Sequence, residues 1–383
     1  MSGKKGGACM YCVIARKGLR RIGAAVLAAA VLCTGCGMLF SRAASRTAES
    51  GESSTQDFIK WVDFNVPYEA LEHAMKLDIQ SHSSGDSLPL DWVELLAYVA
   101  AKFGGDSSCF TIARLDDIAA RLQEGVPMEE LAAGIKTYDY YYEAYSAVLG
   151  GFLGTYEVEV DDPEVEGGKR WERTYGLKAF SPIAKNYPYN DYDDFGSSRS
   201  YGYKRKHLGH DMMGATGTPI IAVESGTVEA LGWNQYGGWR IGIRSFDGKR
   251  YYYYAHLRQN FPYHLDLEEG DVVMAGDVIG YLGHTGYSTT ENTNNINQPH
   301  LHFGMELVFD ESQKESDNEI WIDVYAIVRL LYRNRSEVVK NPETKDYNRV
   351  YGYREVDMDS ESPGGISDSG GADGGEAGTS PTG

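Results

Sequence analysis

The chain has 383 residues, with 36 Lys and Arg against 55 Asp and Glu and a formal net charge of −19. That length gives two or three domains with ample chain for buried cores, and the acidic balance excludes a nucleic-acid binder, which needs a basic stripe to neutralise phosphates. Hydrophobic residues at 42% and charged residues at 24% exclude a polytopic membrane protein and a fully disordered chain. Five cysteines are too few for a disulfide scaffold of this size.

The charge is unevenly spread. Residues 1–48 hold eight of the basic residues and no acid, which leaves 28 basic residues against 55 acids in the remainder. A basic segment, residues 1–21, runs directly into an uncharged apolar run, Ile22 to Phe40. Its 19 residues come close to the roughly 20 that span a bilayer. Basic-then-apolar order keeps residues 1–21 cytoplasmic and sends the bulk of the chain outside, tethered at the membrane. Cys33-Thr34-Gly35-Cys36 resembles a bacterial lipoprotein signal in which Cys36 is lipidated. Residues 22–40 therefore read as either a transmembrane anchor or a lipoprotein signal. Cys9-x-x-Cys12 has the spacing of half a metal site, but without a second pair it reads as incidental.

Residues 41–56 are small and polar, a linker composition. Residues 57–154 read as a helical domain. Asp91 is placed to cap a helix over 92–100, Ile112 to Leu122 repeats the apolar period and stops before Gly125, and Pro127 precedes a helix over Met128 to Ile135. The tyrosine-rich stretch 138–145 continues helical, as a half-buried packing face rather than a sugar platform. Glu69, Glu72 and His73 fit a solvated face. From Ser181 to Phe309 the text changes to short runs with turn signals. Strands are expected over 220–223, 226–231, 240–245, 250–255, 272–274, 278–282 and 301–307, with a closing helix over 322–332. The sum is an α+β multidomain chain whose β part, residues 181–335, is a sandwich or barrel. From Glu355 to Gly383 acids and glycines without a basic residue read as a disordered tail.

Seven of the nine histidines lie between residues 207 and 302. His207 and Asp211 are four apart, and on an extended segment they point to the same side. His300 and His302 flank Leu301 at the head of an expected strand, so alternation puts both on one face. His256 ends another strand. Two imidazoles and a carboxylate make a hydrolytic zinc site with a position open for water. Softer metals want sulfur, and harder cations want more carboxylates than this region places near the histidines.

His207-x-Gly209-x-Asp211, Tyr254-Ala255-His256-Leu257, Gly280-Tyr281-Leu282-Gly283-His284-Thr285-Gly286 and Pro299-His300-Leu301-His302-Phe303 together resemble the lysostaphin-like, LytM-type zinc peptidases that cleave peptidoglycan cross-bridges. The resemblance covers about a third of the chain. It implies an antiparallel β-sandwich, the duplicated hybrid motif, and one zinc ion held by His207, Asp211 and His302. His256 and His300 would be the catalytic histidines, and the substrate a wall peptide met on the outer face of the membrane. The family commonly has only a few residues where this chain has 287–298, so an extra polar loop is expected beside the groove. His210 and His284 stand where the motif requires nothing, as supporting or surface residues. Alternate residues of Tyr251–Tyr254 face either the groove or the core. The alternative in a different class is a non-hydrolytic LytM-like module that binds wall peptides or activates another hydrolase. The helical segment shows no catalytic Glu context of a lysozyme-like enzyme, and a docking or regulatory role with a protein partner is expected of it.

Overall fold

The computed structural model describes residues 58–200, 204–314, 316 and 318–356. The expected basic segment, the anchor or lipoprotein signal with Cys36, the linker and residues 357–383 of the expected tail lie outside the described residues. Glu355, expected to begin that tail, instead closes a strand and bonds Ser225 and Lys178.

Among the described residues five α-helices come first. α1 (Tyr68–Ser83) follows Pro67 and buries Leu71, Ala74 and Met75. α2 (Trp92–Phe103) is capped by Asp91, whose carboxylate accepts from the Val93 amide at 2.7 Å, and ends at Gly104 in the left-handed region. α3 (Ile112–Gln123) is capped by Thr111. α4 (Met128–Leu131) stops short of the expected Ile135, because residues 132–134 turn and Gly134 takes φ 82°. α5 (Tyr138–Leu149) packs on α2 and buries Tyr145, Val148 and Leu149.

A hairpin absent from the expectation follows. β1 (Leu153–Asp161) pairs with β2 (Lys169–Leu177), Leu153 opposite Leu177, and β17 (Tyr353–Glu355) adds to the other edge of β1. Its pairs are cross-strand charges and aromatics such as Glu157 opposite Arg173 and Glu159 opposite Trp171. No apolar period announces them.

The main sheet is antiparallel at every pairing. Its strands are β3 (Asn190–Asp191), β6 (His210–Met213), β8 (Gly226–Asn234), β9 (Gly238–Ser245), β10 (Arg250–Ala255), β11 (Val272–Val273) and β13 (His300–Leu307), in the order β11-β8-β9-β10-β13-β6-β3, with β14 (Ile320–Trp321) on β13. Smaller pairs are β4 (Ser198–Ser200) with β5 (Lys204–Lys206), β7 (Pro219–Ile221) with β12 (Val278–Tyr281), and β15 (Val338–Lys340) with β16 (Tyr347–Arg349). The closing helix, α6 (Tyr325–Leu331), starts later than the expected 322, since the Ile322 amide still bonds the Met305 carbonyl of the sheet and the Asp323 carboxylate accepts from the Tyr325 amide.

Strand alternation sorts the main sheet into two faces. Ile241, Ile243, Tyr252, Tyr254, Leu301, Phe303 and Met305 point into one continuous apolar core with Leu95, Val148, Leu330 and other helix residues. Arg240, Tyr251, Tyr253, His300, His302 and Gly304 are left for the opposite face. Arg250, 1% exposed, ties helix to sheet. It pairs with Glu224 and donates to the Ala147 carbonyl at 2.7 Å in the last turn of α5.

Candidate active site

The five histidine and aspartate positions singled out by spacing converge on the outer face of the main sheet. β13 and β6 pair with His302 opposite Asp211, so the carboxylate and one imidazole stand side by side. His207 enters from the segment between β5 and β6. Its Nε2 lies 3.0 Å from Asp211 Oδ1 and 3.0 Å from His302 Nδ1, and the latter two atoms are 2.9 Å apart. Gly209 lets the strands close: a Cβ there would stand 2.5 Å from the His302 ring.

These three atoms fit a cation. His207 donates its Nδ1–H to Asp194 Oδ1 at 3.1 Å, so its Nε2 carries a lone pair. That lone pair, a carboxylate oxygen and an imidazole nitrogen then face one point, with at most one N–H among them. Such a surplus of buried acceptors needs a positive charge at its centre. Tetrahedral zinc with bonds near 2 Å would space its ligands by roughly 3.3 Å, close to the separations here. Burial opposes the charge on Asp211, but the adjoining His207 and His302 rings outweigh it and hold the carboxyl well below the usual range. Burial lowers His302, against the opposing pull of Asp211, which favours the neutral ring a metal needs.

His256 and His300 sit beside this cluster, their ring centroids 4.8 Å apart. His300 Nδ1 donates to the Gln298 carbonyl at 2.9 Å, and its Nε2 is 3.7 Å from Asp211 Oδ1. His256 Nδ1 donates to the Thr285 carbonyl at 2.9 Å. A carbonyl only accepts, so each neutral ring keeps its proton on Nδ1 and presents Nε2 as a base. His256 adopts φ 62°, a left-handed conformation at the end of β10. Burial, followed by the neighbouring charges of His300 and His302, pushes His256 well below the ordinary imidazole range.

The expected supporting roles of His210 and His284 fit their contacts. His210 bonds Asp191 at 3.0 Å, and His284 holds the 287–298 loop through the Ile296 carbonyl at 2.9 Å. Tyr287, Asn295, Ile296 and Asn297 of that loop line a cavity of about 400 Å³ together with the cluster. A second cavity of about 450 Å³ continues from it and shares Arg205, Tyr236, Tyr253 and His302. Of the tyrosine run, Tyr251 and Tyr253 face this groove, whereas Tyr252 and Tyr254 face the core and bond Glu224 and the Val223 amide. Spacing gave no sign of Asp194 or of Arg199, which pairs with Asp194 and lies 3.6 Å from Asp211. Both come from a segment without a motif, and only the tertiary fold brings them in.

Residues 205–318, which contain all five positions, match the model of Peptidase family M23. The L-Ala–D-Glu endopeptidase of Bacillus subtilis is 38% identical over 124 residues, 32% of this chain and 36% of that protein. Lysostaphin of Staphylococcus simulans is 40% identical over 98 residues, 25% of this chain and 17% of its own length. The chain thus spans about a third or less of the length of these curated relatives. Among solved structures, a LytM chain of Ruminococcus gnavus aligns at TM-score 0.48 and 23% identity, over 72% of this chain and 91% of that one.

Proposed function

We propose that this chain is a zinc-dependent endopeptidase that hydrolyses peptide bonds of peptidoglycan, with His207, Asp211 and His302 holding one zinc ion. The carrying observation is the pairing of that acceptor-rich triad with two histidines whose Nδ1 atoms are tied to carbonyls. The M23 match and the names of the endopeptidase relatives support the substrate class. Held by the triad, zinc would supply Lewis-acid polarisation of a scissile carbonyl and acidify a water.

The chain's own residues do the rest. Asp194 fixes the tautomer and orientation of His207. The Nε2 of His300 or His256 takes the proton of the attacking water. Once protonated, that ring donates the same N–H to the tetrahedral oxyanion or to the leaving amine. The groove floor of Tyr251 and Tyr253 gives an extended peptide a surface to lie on. The reading places residues 58–356 outside the cytoplasm, which the basic-then-apolar order of residues 1–40 supports.

The test is a zymogram on cell-wall material. Clearing that is lost with chelator and restored by zinc is expected. Wall binding without clearing under any metal condition would instead favour a non-hydrolytic wall-binding module.

A further inference from the structure

The second cavity along the groove holds a cation that the proposed chemistry does not use. Arg240 lies on β9, one residue before Ile241, which pairs with Tyr254 and points into the core. Alternation therefore turns Arg240 to the face that carries His302 and Asp211. Ala255 pairs with His302 on the next strand, and His302 with Asp211. Arg240 is thus about two strand spacings from His302, roughly 10 Å between backbones. That is a reach of about two or three residues of an extended peptide, and the arginine side chain shortens it.

The surroundings leave this guanidinium available. On its β8 side the paired residue is Gly232, where an added Cβ would meet open space. Its Nε is buried without a hydrogen-bond partner, and among the described residues no ion pair engages its guanidinium. The other cations of the cavity are differently placed: Lys314 is paired with Glu229, Arg205 donates to the Tyr287 hydroxyl, and Lys206 is exposed. Glu319 already accepts the indole N–H of Trp321. The remaining acid, Glu306, comes four pairs further along β13 than His302 and is 2% exposed. Four basic side chains against two acidic ones line this cavity, in a chain whose balance is strongly acidic.

A planar fork of N–H donors beside the hydrolytic cluster matches a carboxylate better than any neutral group. The geometry points to Arg240 as a specificity residue that pairs with a free carboxylate on the peptide substrate, within two residues of the bond that is cut. This rests on the peptidase reading above. It makes the substrate class an acidic stem peptide and disfavours bridges built only of glycine, which offer no side carboxylate.

The test uses full-length protein carrying His300→Ala, with its metal, and two synthetic stem peptides. They are identical except that the glutamyl residue bears a free α-carboxylate in one and a carboxamide in the other. Titration of tryptophan fluorescence gives the affinities. The acid peptide is expected to bind about 10- to 100-fold more tightly. Adding Arg240→Gln should remove that difference and leave the affinity for the carboxamide peptide unchanged, which also shows that the variant is folded. Arg240→Lys should restore part of the preference.

Equal affinity for the two peptides, or a preference that survives Arg240→Gln, overturns the proposal. Failure of the underlying reading shows separately, in the otherwise unaltered protein with zinc. An Arg240-dependent preference without any cleavage of wall peptides there would refute the peptidase and leave the carboxylate subsite standing.

Discussion

Gly209→Ala is the substitution whose effect follows most directly from the geometry. The new Cβ would stand 2.5 Å from both Cε1 and Nε2 of His302 and 3.0 Å from the Phe303 carbonyl oxygen. Ordinary contact begins near 3.4 Å, so the imidazole must withdraw by about 1 Å. The β13 backbone cannot give way instead, because it is paired on one side with β6 and on the other with β10. A withdrawal of about 1 Å is half the length of a zinc–nitrogen bond, and displacements of that size cost catalysis on the order of 100-fold. Zinc affinity by chelator competition should fall at least about tenfold, and hydrolysis of a defined muropeptide about 100-fold. Unaltered zinc binding and rate would refute the reasoning that Gly209 exists to let His302 close on Asp211.

Two further outcomes are expected. Asp194→Ala removes the acceptor of His207 Nδ1–H and should weaken zinc binding by about 10- to 100-fold, with the fold intact by circular dichroism; unaltered affinity would deny Asp194 its orienting role. Arg250→Ala leaves the buried Glu224 carboxylate with the Tyr252 hydroxyl but without its positive partner, and uncaps the last turn of α5. Unfolding in urea should show a loss of about 3–5 kcal/mol, and a loss under about 1 kcal/mol would contradict the anchoring role given to Arg250.

The site was more legible in the sequence than the architecture around it. His207, Asp211, His300 and His302 lie on strands or beside them, and strand alternation fixes which way such residues point. Their convergence then needs only the correct pairing of β6 with β13. Tyr251–Tyr254 shows the limit of that logic, since alternation splits the run into two faces but does not say which pair meets the core. The β1–β2 hairpin was illegible because both faces are half-exposed and its strands are held by charged and aromatic pairs, which leave no apolar period. The joining of the helices to the sheet was hidden for another reason. It depends on Arg250 reaching across 103 positions to the Ala147 carbonyl, a contact without a local signature. Asp194 belongs to the same class, 13 residues from the histidine it orients.

The most direct test of the account is a comparison of two single variants for both metal content and wall-peptide cleavage. His300→Ala should keep one zinc per chain and lose cleavage, while His302→Ala should lose both. The cleaved bond is read by mass spectrometry of a digest with the unaltered protein. Full cleavage by His300→Ala, or one zinc per chain in His302→Ala, would contradict the division of the cluster into a metal triad and proton-handling histidines.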